Sequence, residues 1–365
     1  MNRSLLRTLA GTSLLAVTLP SLTAAQGLRD FAVIVAPHLT TYTIGSGATK
    51  KSVAQTAIPI VFALPVTESF TMDITTSYAI SDVIAGGSAT SSIQGLTDTQ
   101  IRGNLAFVKQ NIVLTAGVNL PTGQYTIPEG QAEAAGQIGN DFLNYTISSM
   151  GNGFGGTGGV AFARTIGDWN LGAGASMRKS TEFAAFSVAA EELRFTPADE
   201  YRLNVGIDRP AGDGQVQLGL SFSAFGHDLA GATSYSTGDR VVASGGWSFP
   251  VRDASVFLSG WNLYRMAGQQ LGGPAPTENV ANVNAGLSVT VRDLLIQPNL
   301  ELRLWQIAGV KAGNMLNSGV RLRFSTRSFV LFPSIGVSLG KLYDTLNGGA
   351  TDVTGMRGSL TVRWR

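Results

Sequence analysis

From residue 31 to its end this chain repeats one device: about ten residues in which apolar and polar side chains alternate, then a turn or a loop. In IQPNLELRLW (296–305), Gln297, Asn299, Glu301 and Arg303 alternate with Ile296, Leu300, Leu302 and Leu304. DTQIRGNLAF (98–107), YRLNVGID (201–208), ANVNAGLSVTV (281–291) and NSGVRLRFSTR (317–327) follow the same rule. A period of two puts the two sets on opposite faces of a β-strand, one wet and one oily. The chain holds about sixteen such segments, or fourteen if the first two pair differently.

The oily face must meet either a protein core or lipid. No run of about 18 apolar residues follows residue 25, so no helix is expected to span a membrane. Membrane residence would then require strands closed into a barrel, because lipid satisfies no backbone polar group. The connections favour that closure. Short ones (64–69, 108–111, 166–169, 209–214, 250–253, 291–294, 325–328) alternate with longer ones (81–97, 121–156, 180–198, 227–237, 265–278, 306–315, 341–352). Phe70, Phe107, Trp169, Trp247, Phe249, Phe324, Phe329 and Trp364 all lie beside the short connections, on the apolar parity. In antiparallel strands these aromatics share one level and form a membrane-interface belt, whereas a soluble core would hold them mid-strand. Tyr42 and Tyr78 are candidates for the opposite belt. The expected fold is therefore all-β: a closed antiparallel up-and-down transmembrane β-barrel over residues 26–365. It would have short periplasmic turns and long outer loops, and outer-membrane lipid around it.

The first 25 residues read as a signal peptide. Arg3 and Arg7 precede an apolar, Thr/Ser-interrupted stretch, and Thr23 and Ala25 supply the small residues before a cut near Gln26. Losing the two arginines takes the formal charge from +2 to zero, which leaves no basic character for a nucleic-acid partner. The chain has no Cys and two His, His38 and His227, so neither a thiolate site nor a histidine metal cage is available. No cofactor is implied. GNGFGG (151–156) matches a dinucleotide-binding pattern but precedes a strand pattern where a helix is required.

The final GSLTVRWR resembles the C-terminal strand that barrel-insertion machinery reads in bacterial outer-membrane β-barrels, although Trp364 is penultimate and Arg365 ends the chain. GLTDTQIRGNLAF (95–107) followed by LTAGVNLPTGQY (114–125) resembles the phenol-degradation meta-pathway and long-chain-fatty-acid transporter group. That resemblance implies uptake of hydrophobic small molecules. The group's N-terminal plug with an Asn-Pro-Ala motif has no counterpart here.

Parity assigns Arg102, Arg303, Arg321, Arg323 and Arg357 to the lumen, with Asp73 and Glu301 as acidic neighbours. Arg102, Arg321, Arg323 and Arg357 are placed near mid-barrel, and Glu301 is expected opposite Arg321 and Arg323. Such arginines either favour anions in a narrow pore or pair with Glu301 and Asp73 and brace the wall. Loop 121–156 either folds inward as a constriction, offering Tyr125, Phe142 and Tyr145 to a solute, or stays outside. In loop 180–198, Phe183, Phe186 and Leu193 sit near helical spacing. The function expected is passive passage of small solutes, hydrophobic or anionic, without catalysis. The alternatives are a membrane-embedded hydrolase using His38 or His227, and a closed structural or adhesive barrel. The sequence specifies neither the solute nor an oligomeric state.

Overall fold

The computed structural model describes residues 31–364 except 48–49, 86–87, 108–110, 189–190, 271, 327 and 345–348. The expected signal peptide and Arg327 lie outside the described residues. Sixteen strands form the wall. They are β1 (Ala32–Val35 and His38–Ile44), β2 (Lys51–Pro65), β3 (Phe70–Ala85), β4 (Ser88–Leu96 and Thr99–Phe107), β5 (Ile112–Leu120), β6 (Gly155–Ile166), β7 (Trp169–Ser180) and β8 (Glu200–Ala211). The wall continues with β9 (Gly214–Phe225), β10 (Arg240–Val251), β11 (Ala254–Arg265), β12 (Glu278–Val291), β13 (Leu294–Ile307), β14 (Val310–Ser325), β15 (Phe329–Tyr343) and β16 (Ala350–Trp364). Each pairs antiparallel with the next, and β1 also pairs with β16 (His38 with Ser359, Ile44 with Val353), so the sheet has no edge. β1 is broken at Ala36 and Pro37, where proline removes a ladder donor.

Alternation fixes the two faces. Leu203, Val205, Leu218, Leu220, Leu300, Leu302, Ile335 and Val337 stand exposed on the outer face, whereas their sequence neighbours point inward. A continuous exposed apolar band of this kind belongs in lipid, and with edge closure it makes the chain a transmembrane β-barrel. At the short-turn end, two-residue connections begin with a positive φ at Gly167, Gly212, Arg252 and Arg292. That geometry matches the strand twist.

Two of the expected long loops are strand. Residues 81–85 and 88–96 extend β3 and β4, and 306–315 closes on a tight turn in which Ala308 and Gly309 both have positive φ. This turn sets the β13–β14 register. It places Glu301 opposite Asn317 and Arg303 opposite Met315, while Arg321 faces Gln297, so the expected Glu301–Arg321/Arg323 neighbourhood does not form. Arg321 and Arg323 accordingly lie toward the short-turn end, below mid-barrel. Loop 180–198 is a ribbon, Phe183–Val188 against Glu191–Thr196, and not a helix. A bulge between Ala184 and Phe186 lets Phe183 and Phe186 pair with Phe195 and Leu193, which reproduces helix-like spacing in a strand. With Ile127–Pro128, Asp228–Ala230 and Thr233–Tyr235, this ribbon makes a small sheet over the outer mouth.

Candidate functional site

The connection between β5 and β6, residues 121–154, folds into the barrel. It contains a short helix, α1 (Ala132–Ile138), and buries Phe142, Leu143 and Tyr145. These pack with Ala134, Ile138 and Met150 on an apolar patch of the inner wall: Val53, Ala57, Ala79, Val83, Ile93, Met315 and Val353. The wall here is apolar on both faces, because it meets lipid outside and the inserted segment inside. We call residues 121–154 the plug.

Polar links fix the plug at both ends of its span. Arg303, 1% exposed, donates to the Phe142 carbonyl at 2.6 Å and is ion-paired with Glu301, which also accepts from Asn317. The Phe142 ring stacks on Trp305 at 5.3 Å, and the Trp305 indole donates to Glu278. Gln55 is matched in both directions to Ile147, donating to its carbonyl at 2.7 Å and accepting its N–H at 2.9 Å. Tyr42 donates to the Leu143 carbonyl, and Tyr145 donates to the Val53 carbonyl. Burial raises the Tyr145 phenol pKa, keeping it a neutral donor. Asp141 pairs with Arg265 at 2.7 Å on β11, whereas α1 packs with Ala79 and Val83 on β3. Those strands are eight places apart in a ring of sixteen, so the plug crosses the lumen.

Both ends of the plug meet at one carboxylate. Asp98 accepts the Gly123 N–H (3.1 Å), the Asn152 N–H (2.6 Å) and the Asn119 amide (2.8 Å). Thr122 donates to the Thr97 carbonyl at 3.0 Å. A Cβ at Gly123 would sit 2.2 Å from the Met150 carbonyl oxygen, so the close approach requires glycine. The GLTD and LPTG stretches, distant in sequence, therefore form one joint.

The lumen arginines divide into two sets. Arg102 pairs with Asp73 (3.3 Å), and Asn104 also donates to that carboxylate. Arg102 and Arg303 thus have carboxylate partners. Arg321, Arg323 and Arg357 have none among the described residues: the first two lie over Phe332 (4.6 and 5.9 Å), and Arg357 donates to the Tyr42 hydroxyl. Arg357 also lines a polar cavity of about 510 Å³ beside the plug, with His38, Asn140, Asn144, Tyr145 and Ser359. The His38 Nε2 is buried with no hydrogen-bond partner, and the described residues contain no cluster able to hold a metal ion.

Tyr125 does not join Phe142 and Tyr145 in the buried cluster on the inner wall. It packs edge-on to Phe183 at the mouth, in an apolar cavity of about 310 Å³ with Phe186, Leu193 and Phe195. Tyr42, a candidate for the outer belt, points inward and is fully buried. Residues on β2 went unnoticed in the sequence. KSVAQTAIPIVFALP is apolar on both parities, with Val53 and Ala57 inside and Ile58 and Ile60 outside, which is the pattern of a strand covered on both faces. The eight short-turn aromatics all lie on the outer face. Trp247 and Phe249 pack at 4.4 Å, and Phe329 is the cross-strand neighbour of Trp364.

No family model matches the chain, and no curated protein matches it. Solved structures that resemble it in fold include OmpT of Vibrio cholerae, folded in vitro (10% identity, 91% of this chain and 96% of that one, TM-score 0.44). OccAB1 of Acinetobacter baumannii is similar at 11% identity, over 93% of this chain and 98% of that one, with TM-score 0.48. An anion-selective porin from Comamonas acidovorans is similar at 10% identity, over 92% and 99%, with TM-score 0.44.

Proposed function

We propose that this barrel is a gated outer-membrane channel for passive passage of small solutes, closed in the present conformation by the plug. The observation that carries the reading is the seating of Phe142, Leu143 and Tyr145 on the inner wall, with hydrogen bonds that run to strands on opposite sides of the lumen. A closed structural barrel needs no separable plug; its lumen would be filled by wall side chains. Here the wall leaves space for a 34-residue connection and a further polar cavity of about 510 Å³.

Displacement of the plug would open a path past Arg357 to Arg321 and Arg323, which are already exposed in the lumen; these three arginines lack a carboxylate partner among the described residues. Unneutralised guanidinium groups in a low-dielectric channel lower the barrier for anions and raise it for cations. Small organic anions are the solute class that follows. Arg102 and Arg303, already paired, brace the wall and the plug.

The test is the reversal potential of the channel in a salt gradient across a planar bilayer. Anion preference is expected, and the Arg321→Gln/Arg323→Gln/Arg357→Gln variant should lose at least about three-fold of the anion-to-cation permeability ratio. A cation-favouring wild-type channel rejects the arginine assignment.

A further inference from the structure

Nearly all outward-facing charges on the wall among the described residues lie at the outer rim, where two ion pairs form: Lys179 with Asp199 (3.4 Å) and Lys341 with Asp352 (3.5 Å). Two arginines near the short-turn end differ. Arg164 on β6 shares the outward parity of Phe162 and Ile166 and is the cross-strand neighbour of Leu171. It stands one outward step deeper into the lipid band than the Trp169–Ile166 pair. Arg209 on β8 shares the outward parity of Leu203 and Val205, and its guanidinium carbon lies 4.8 Å from the centre of the Trp169 ring. Its Nε donates to the Pro210 carbonyl, which leaves both Nη groups for another acceptor.

Neither arginine is in an ion pair among the described residues. Asp168 and Asp213, in the adjacent turns, form none either, and Asp208 points inward, where it accepts from Asn170 at 2.7 Å. One strand, β7, separates the two arginines, and the pairings Arg164–Leu171 and Leu171–Ile207 set their offset. Two strand spacings and two residues along the strand place their Cα atoms about 12 Å apart. Two extended arginine side chains can therefore converge over Trp169 on one tetrahedral anion.

An unpaired guanidinium facing lipid is costly unless it reaches the headgroup layer or finds an anion there. We propose that Arg164 and Arg209, with Trp169 as the apolar platform between them, form a binding site for the phosphate of a phospholipid headgroup in the periplasmic leaflet. The acyl chains would lie along Phe162, Leu171, Leu203 and Val205, which continue the outer face above the site. Net-anionic lipids gain most, because no ammonium group in the headgroup opposes the two arginines.

The test is native mass spectrometry of the folded barrel in detergent, with phosphatidylglycerol and phosphatidylcholine in competition. Wild type should retain phosphatidylglycerol in preference by about ten-fold, and Arg164→Gln/Arg209→Gln should remove the preference. Arg164→Lys/Arg209→Lys should keep most of it, and Lys341→Gln at the opposite rim should keep all of it. The heat-dependent shift in gel mobility verifies that each variant is folded. Equal retention of both lipids by wild type overturns the site. Displacement of phosphatidylglycerol by millimolar inorganic phosphate would reassign it to a free anion and overturn the lipid assignment.

Discussion

Arg303 is a guanidinium sealed between the wall and the plug, and its two bonded partners explain why it is there. It neutralises Glu301 on its own strand and satisfies the Phe142 carbonyl, which the buried plug backbone could not otherwise pair. Replacing it with alanine should cost about 3–5 kcal/mol, because the Glu301 carboxylate loses its countercharge and the Phe142 carbonyl its donor together. Hydrogen exchange of amides 140–147 should accelerate, while that of β8 and β9 stays unchanged. Phe142→Ala acts on the same seat through packing: it empties the position stacked on Trp305 and should cost about 3–5 kcal/mol. If exchange in the plug is the same in both variants as in wild type, these residues do not hold it. The parity of Arg303 was readable from its strand, but its partner was not. The partner belongs to a segment 161 residues away, and nothing in the local pattern announces that contact.

At the scale of elements, the joint at Asp98 decides whether residues 121–154 behave as a plug or as a loop. Its two oxygens hold the N–H groups of Gly123 and Asn152, so both ends of the plug leave the wall at one point. Asp98→Asn keeps the shape but replaces charge-assisted bonds, each worth about 1.5–3 kcal/mol, by weaker ones. External protease should then cut within 124–150 at least about ten times faster, a factor that corresponds to about 1.4 kcal/mol of easier opening. Unchanged cleavage would mean that the ends are held elsewhere. The strand ladder itself was evident from period two wherever the outer face meets lipid. It failed at 81–97 and 306–315, where the strands rise beyond the lipid band. There SATSSIQG (88–95) has a turn-like composition and no oily face to mark its period, yet it pairs with β3 across a bulge between Val83 and Ile84. The plug had a visible signal in the doubly apolar β2, which is unusual for a strand lining a water-filled pore.

For the whole molecule, the exterior is an apolar band, the short-turn end carries a belt of outward aromatics, and the outer half of the interior is occupied by the chain's own connection. Closure of the wall leaves no edge for the plug to join, so apart from Ile127 and Pro128, which pair with Phe186 and Ser187 of the mouth ribbon, it is held by side chains and single hydrogen bonds. That is the condition for moving it without unfolding the barrel. The most direct measurement is single-channel conductance in a planar bilayer, comparing wild type with a variant in which residues 124–150 are replaced by a short Gly/Ser linker. The wild-type channel should be closed for most of the record, and the variant should show steady open steps of at least several-fold greater mean conductance. Equal conductance in the two, or silence in a folded plug-less barrel, would contradict the assignment of residues 121–154 as the gate.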